Sequence, residues 1–179
     1  MDSTQLEFAA KNDPFISKYR PEVILESELR VIKPLRIYFI LLGGREKKDS
    51  NESASTLLGH WVLLETCKTQ KIGLYDSFAE TGKRSKSLLR KIFKYCKKTK
   101  SKLHMNQKIV QLPFSSICGP IVLFVALLIS RPGNSYKNIR KVKMNHSLKY
   151  IVKVLPDFIS YFLPKGHKKT ARFSLDFLM

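Results

Sequence analysis

The side chains best suited to covalent chemistry in this 179-residue sequence are a thiol, an imidazole, a carboxylate and a carboxamide, spaced along one chain. Cys118 stands directly before Gly119-Pro120, at the head of the almost wholly apolar stretch Ile117–Ser130. A thiol at a helix N-terminus meets unpaired N–H groups and the positive end of the helix dipole, which favour the thiolate. An imidazolium partner lowers the thiol pKa further and yields a nucleophile at neutral pH. Pro120 suits a first helical turn, and Gly119 leaves room for a substrate carbonyl to approach the backbone. Alone, such a cysteine reads as a small buried hydrophobe. Its company changes that. His60 lies inside the apolar stretch Leu57–Thr66, between Gly59 and Trp61, and Asp76 ends the next apolar stretch. Adjacent strands bring two such residues side by side, so that the carboxylate orients the ring and supports its protonated form. Gln111, upstream of the cysteine, offers an amide N–H to the oxyanion of a tetrahedral intermediate. Singly, His60 reads as a core histidine, Asp76 as a turn residue and Gln111 as a loop glutamine.

The elements that must position these groups are legible from periodicity. Leu35–Leu42 is a continuous β-branched and aromatic run closed by Gly43-Gly44, a buried strand. Arg45–Ser55 is charged and rich in Ser and Asn, a surface loop. Leu57–Thr66 and Lys71–Tyr75 are the next two strands, joined through a tight polar link at Cys67–Gln70. Across Lys83–Lys98 the period changes: Leu88, Leu89, Ile92, Phe93 and Cys96 form one apolar stripe on a helix otherwise covered in Lys and Arg. Lys108–Leu112 is a short strand ending at Pro113, and Cys118–Ser130 is a buried helix stopped by Arg131-Pro132-Gly133. His146–Leu163 reads as one or two amphipathic helices broken near Pro156. The fold class is α+β: a small central β-sheet with helices packed on it and the nucleophile at the N-terminus of a buried central helix. The length suits one domain, residues 1–179, with a catalytic core over 8–133 and a basic helical part over 134–179.

Composition narrows the setting. The formal net charge is +19, and it is lopsided: residues 1–80 carry 11 Lys/Arg and 12 Asp/Glu, residues 81–179 carry 22 and two. A one-signed half repels itself and calls for a polyanion, nucleic acid being the commonest. Lys83, Arg84, Lys86, Arg90, Lys91, Lys94, Lys97 and Lys98 are the candidates for DNA contact. Cys67, Cys96 and Cys118 are odd in number and widely spaced, which argues against a disulfide framework or a cysteine zinc site; the histidines lack metal-ligand spacing. Free thiols fit a reducing, intracellular setting. Ile117–Ser130 is shorter than the ~20 residues of a membrane span, so no membrane partner is expected.

Taken in order, these residues resemble the adenovirus maturation protease (adenain) family of cysteine peptidases, which shares a clan with the SUMO and ubiquitin-like-protein proteases. Gly59-His60-Trp61 looks like the family's histidine strand, and Leu74-Tyr75-Asp76-Ser77-Phe78 like the strand that supplies the acid. Gln111-Leu112-Pro113-Phe114-Ser115-Ser116-Ile117-Cys118-Gly119 is similar to the oxyanion and nucleophile segment, spacing included. Phe8–Asp13, Gly44-Arg45-Glu46 and Ser87-Leu88-Leu89-Arg90-Lys91 are weaker echoes, so that the resemblance spans most of residues 8–133. Asp76 stands where adenoviral members often carry Glu.

The resemblance implies Cys118 as nucleophile, His60 as general base and then acid, Asp76 as the ring's orienter, Gln111 as oxyanion donor and Trp61 packed beside the site. It further implies a monomeric endopeptidase without metal or small-molecule cofactor, cleaving precursor capsid and core proteins after small residues such as glycine. Its setting would be the virion and the host nucleus, its stimulants DNA and a short activating peptide. No cysteine matches the one through which adenain links that peptide; Cys96, nearest in order, falls on the apolar helix stripe and reads as core. Leu41-Leu42-Gly43-Gly44 looks like a glycine-ended cleavage site, but a strand closing in a Gly-Gly turn is the stronger reading. Two other functions fit: a SUMO- or ubiquitin-like-protein deconjugating protease, and a non-catalytic DNA-binding virion protein on the same fold.

Overall fold

A computed structural model describes residues 1–43, 59–68, 70–106 and 117–130. Helix α1 (Ser3–Asn12) opens the chain, followed by a 3-10 turn at Ser17–Tyr19 and strand β1 (Glu22–Leu25). Strands β2 (Ile37–Leu42), β3 (His60–Lys68) and β4 (Lys71–Asp76) follow, then the short helix α2 (Thr81–Arg84) and the longer α3 (Lys86–Thr99). Strand β5 (Lys102–Met105) and helix α4 (Cys118–Ser130) complete the described elements.

The strands form one mixed sheet in the order β1-β2-β3-β4-β5. Strand β3 runs antiparallel to both β2 and β4, and the two edge strands run parallel to the strand beside them. Because side chains alternate across a strand, each central strand feeds two cores. Ile37, Phe39, Trp61, Leu63 and Tyr75 pack with α1 and α4 on one face. Tyr38, Ile40, Leu42, Val62, Leu64, Ile72 and Leu74 pack on the other with Leu88, Ile92 and Cys96 of α3. Burial on both faces is why β2 reads as a continuous apolar run rather than an alternating one. The architecture is α+β, with helices on both faces of the sheet.

Local chemistry fixes the helix ends. Asp2 caps α1 by accepting from Gln5 N–H at 2.8 Å while the Gln5 side chain accepts from Asp2 N–H at 3.1 Å, a reciprocal capping box. Ser85 caps α3 through Leu88 N–H at 3.0 Å, and Lys100, left-handed at φ 54°, ends it. Glu26 anchors α3 to the segment after β1, its carboxylate accepting from the hydroxyls of Ser85 and Ser87.

Several expectations shift in detail. The single helix over Lys83–Lys98 divides at Ser85, because that residue adopts an extended conformation to cap the second piece. The strand carrying His60 begins at His60 and runs on to Lys68, past a register irregularity between Glu65 and Lys68; Lys68 pairs with Lys71, so the link to β4 is tight, as expected. Helix α1 and strands β1 and β5 are additional elements. The expected strand at Lys108–Leu112, the loop Arg45–Ser55 and the helices of His146–Leu163 lie outside the described residues. Gly43 has φ +74°, a conformation glycine adopts without strain and suited to a turn at the end of β2.

Candidate active site

His60 is the first residue of β3 and Asp76 the last of β4, so both sit at the same end of the sheet. The register pairs Asp76 with Val62, leaving His60 one side-chain repeat further along the same face. That diagonal spacing is within reach of an imidazole. His60 Nε2 and Asp76 Oδ1 are 2.6 Å apart, and the two residues are only 5% and 3% exposed. Trp61, of opposite parity, turns to the α4 side of the sheet, where it packs near Cys118 in the same core cluster.

The chain after β4 wraps around the Asp76 carboxylate. Oδ1 also accepts from Phe78 N–H at 2.9 Å, while Oδ2 accepts from Glu80 N–H at 2.9 Å and the Thr81 hydroxyl at 2.7 Å. The bend needs Ala79 at φ 52°, a left-handed conformation that costs a non-glycine residue roughly 1–2 kcal/mol. Its N–H closes the turn onto Asp76 O at 2.9 Å. The Phe78 ring lies 4.8 Å from the His60 ring, tilted by 38°.

Cys118 is the first residue of α4 and is 8% exposed. Its sulfur is near enough to the His60 imidazole and to the backbone N–H groups of Trp61 and Gly119 for each of them to stabilise the thiolate. With Nε2 engaged by Asp76, Nδ1 is the ring nitrogen left for the sulfur. Glycine at the next position also relieves crowding against the start of the chain. A Cβ on Gly119 would lie 3.0 Å from Met1 Cβ and 3.2 Å from Met1 O. The start of the chain thus packs against the first turn of α4.

The electrostatics favour a charged pair. Burial pushes the His60 imidazolium toward neutrality, but the Asp76 and Cys118 hydrogen bonds outweigh it and raise its pKa from 6.5 to about 9. Burial likewise opposes ionisation of Asp76, yet the bonds from His60, Thr81 and Phe78 lower its carboxyl from 3.8 to about 2. For Cys118, burial raises the thiol pKa, and the hydrogen bond from His60 with those from Trp61 and Gly119 N–H brings it below the ordinary value. Both partners are driven toward thiolate and imidazolium. Cys96 behaves oppositely: buried against the sheet, its thiol pKa is raised.

His60, Asp76 and Cys118 are therefore brought together, while Gln111 lies outside the described residues. On α3, Lys86, Arg90, Lys94, Lys97 and Lys98 are exposed, as is Lys83 on α2. Lys91 departs from the expected DNA-contact set: it is half-buried, its Nζ donating to Glu26 O at 3.3 Å. Of Arg84 only the backbone is described. Thr81 and Asn106 were missed by sequence reasoning; Thr81 follows Asp76 closely enough for a capping signal to have suggested it. Among the described residues no group of three or more His, Cys, Asp or Glu side chains forms a metal site, and no helix is long and apolar enough to cross a membrane.

No protein-family model matches the sequence, and no curated protein matches it.

Proposed function

We propose that the chain is a cysteine endopeptidase of the adenain kind, with Cys118 as nucleophile, His60 as acid–base and Asp76 as the ring's orienter. The observation that carries this reading is the buried His60–Asp76 pair, braced by the Thr81 hydroxyl, with the Cys118 sulfur at the head of α4 near enough for His60 to stabilise its thiolate. A structural core gains little from assembling a buried carboxylate, imidazole and thiol at a helix start, since desolvating such groups is costly. Nucleophilic catalysis needs that assembly.

In the proposed reaction the Cys118 thiolate attacks the scissile carbonyl, and imidazolium His60 gives its proton to the departing amine. Neutral His60 then takes a proton from the water that attacks the thioester, and product release restores the ion pair. The Cys118 N–H at the head of α4 is the backbone donor for the developing oxyanion, and Gln111 is the side-chain donor the sequence offers. The substrates are precursor virion proteins cut after small residues such as glycine, in the virion or the host nucleus. The exposed cations of α2 and α3 form the surface for DNA.

The test is cleavage of a panel of glycine-ended peptides and of a capsid precursor by wild-type protein and by Cys118→Ala. Cleavage by wild type alone is expected. No turnover by wild type, or equal turnover by the variant, overturns the reading; turnover of ubiquitin-like conjugates alone overturns the choice of substrate.

A further inference from the structure

Asn106 follows the last residue of β5, at the point where the parallel ladder with β4 stops. The last register pair is Leu74 with Met105, so the backbone of Asp76 lies past the end of that ladder. On its other side Asp76 is paired with Val62 of β3. The Asn106 carboxamide takes up what the ladder leaves. Asp76 N–H donates to Asn106 Oδ1 at 2.8 Å, and Asn106 Nδ2 donates to Asp76 O at 2.6 Å. One side chain thus supplies both an acceptor and a donor to the backbone of a single residue, as a strand neighbour would.

That residue is the one whose carboxylate holds His60. The carboxylate accepts from His60 Nε2, Phe78 N–H, Glu80 N–H and the Thr81 hydroxyl, which fix it in rotation. Those bonds set the direction of the side chain, and they come from the turn after β4 or from the group being positioned. The Asn106 clamp instead ties the Cα of Asp76 to β5. A catalytic constellation is only as well placed as the shell behind it, and displacements on the order of 1 Å cost about a hundredfold in rate.

We propose that Asn106 is a positioning residue for the Cys118–His60–Asp76 centre, acting by clamping the Asp76 backbone to β5. The inference rests on the peptidase reading above. Losing the clamp lets Asp76 retreat from Nε2, which weakens support for the imidazolium and, through it, for the thiolate.

The test compares wild type with Asn106→Leu, similar in shape but without either hydrogen bond, and with the milder Asn106→Ser, whose hydroxyl is too short to span both groups. Alkylation of Cys118 by iodoacetamide is followed against pH with site-resolved mass spectrometry, beside steady-state cleavage of a glycine-ended peptide. The expected result is a fall in kcat on the order of tenfold to a hundredfold with KM little changed. The alkaline limb of the alkylation profile, set by His60, should also move to lower pH. A loss of folded fraction alone would leave that limb where it is. If Asn106→Leu does not fold, Asn106→Ser carries the comparison. An unchanged limb and unchanged kcat in the folded variants overturn the clamp while leaving the peptidase reading intact. A wild-type Cys118 no more reactive than a free thiol overturns that reading first, and the two failures are distinct.

Discussion

Because Asp76 occupies Nε2 of His60, a proton taken from Cys118 would sit on Nδ1, the position from which the proposed mechanism delivers it to the leaving amine. The pKa directions give this arrangement a pH signature. Asp76, held at about 2 against 3.8, contributes stability that is complete above 3.8 and lost as pH falls toward 2. His60, held at about 9 against 6.5, contributes stability that is complete below 6.5 and lost as pH rises through 9. Thermal unfolding of wild type should therefore show a stability plateau between these limits. Asp76→Ala should flatten both limbs and lower stability by about 3–5 kcal/mol, because it leaves a buried histidine without its carboxylate. Melting curves from pH 3 to 10, roughly the span over which carboxyl and imidazole groups titrate, check this. An Asp76→Ala protein as stable as wild type across that range would contradict the assignment. At this scale much of the site was legible, since His60, Asp76 and Cys118 declare themselves by residue type and order. Asn106 did not, because its role is to finish a ladder, and a hydrogen bond between distant strands leaves no periodic mark in sequence.

Helix α4 and the sheet end it meets form the element on which the site depends. Its first turn is hemmed in by Met1 and by Trp61, whose Cδ1 would be 3.5 Å from a Cβ on Gly119. Gly119→Ala should consequently cost about 1–3 kcal/mol through overpacking and lower peptide cleavage by displacing Cys118. Activity and melting temperature unchanged in Gly119→Ala would show that the start of the chain yields freely. Leu64→Ala, at a fully buried position on the face of β3 turned away from α4 and two side-chain repeats from His60, should cost about 2–5 kcal/mol while leaving the residual folded protein able to react at Cys118. Strands β2, β3 and β4 and helix α4 were readable because they are long apolar runs bounded by polar or glycine-containing segments. The edge strands β1 and β5 were not: Glu22–Leu25 and Lys102–Met105 are short and only partly buried, so neither length nor alternation sets them apart from loops. Helix α1 likewise carries a weak apolar stripe, with Leu6, Ala9 and Ala10 as its buried residues. What defines its start is the capping box between Asp2 and Gln5.

At the scale of the molecule, a net charge of +19 makes association with polyanions steeply dependent on salt. Charge reversal at Arg90, Lys94 and Lys97, exposed on α3, should weaken duplex DNA binding and reduce the slope of log affinity against log salt by about 0.9 for each phosphate that is no longer neutralised. Fluorescence anisotropy across a salt series measures both. An affinity indifferent to salt would contradict an electrostatic surface. None of these changes touches the sheet end where Cys118, His60 and Asp76 meet, so Cys118 alkylation should survive them. The rate of alkylation of Cys118 as a function of pH tests the central claim most directly. A thiolate–imidazolium pair predicts modification that is already rapid below an ordinary thiol's pKa, and a plateau until His60 loses its proton near pH 9. In His60→Ala the plateau should vanish. A wild-type rate that climbs tenfold per pH unit from 6 to about 8.5, as for an unassisted cysteine, would contradict it.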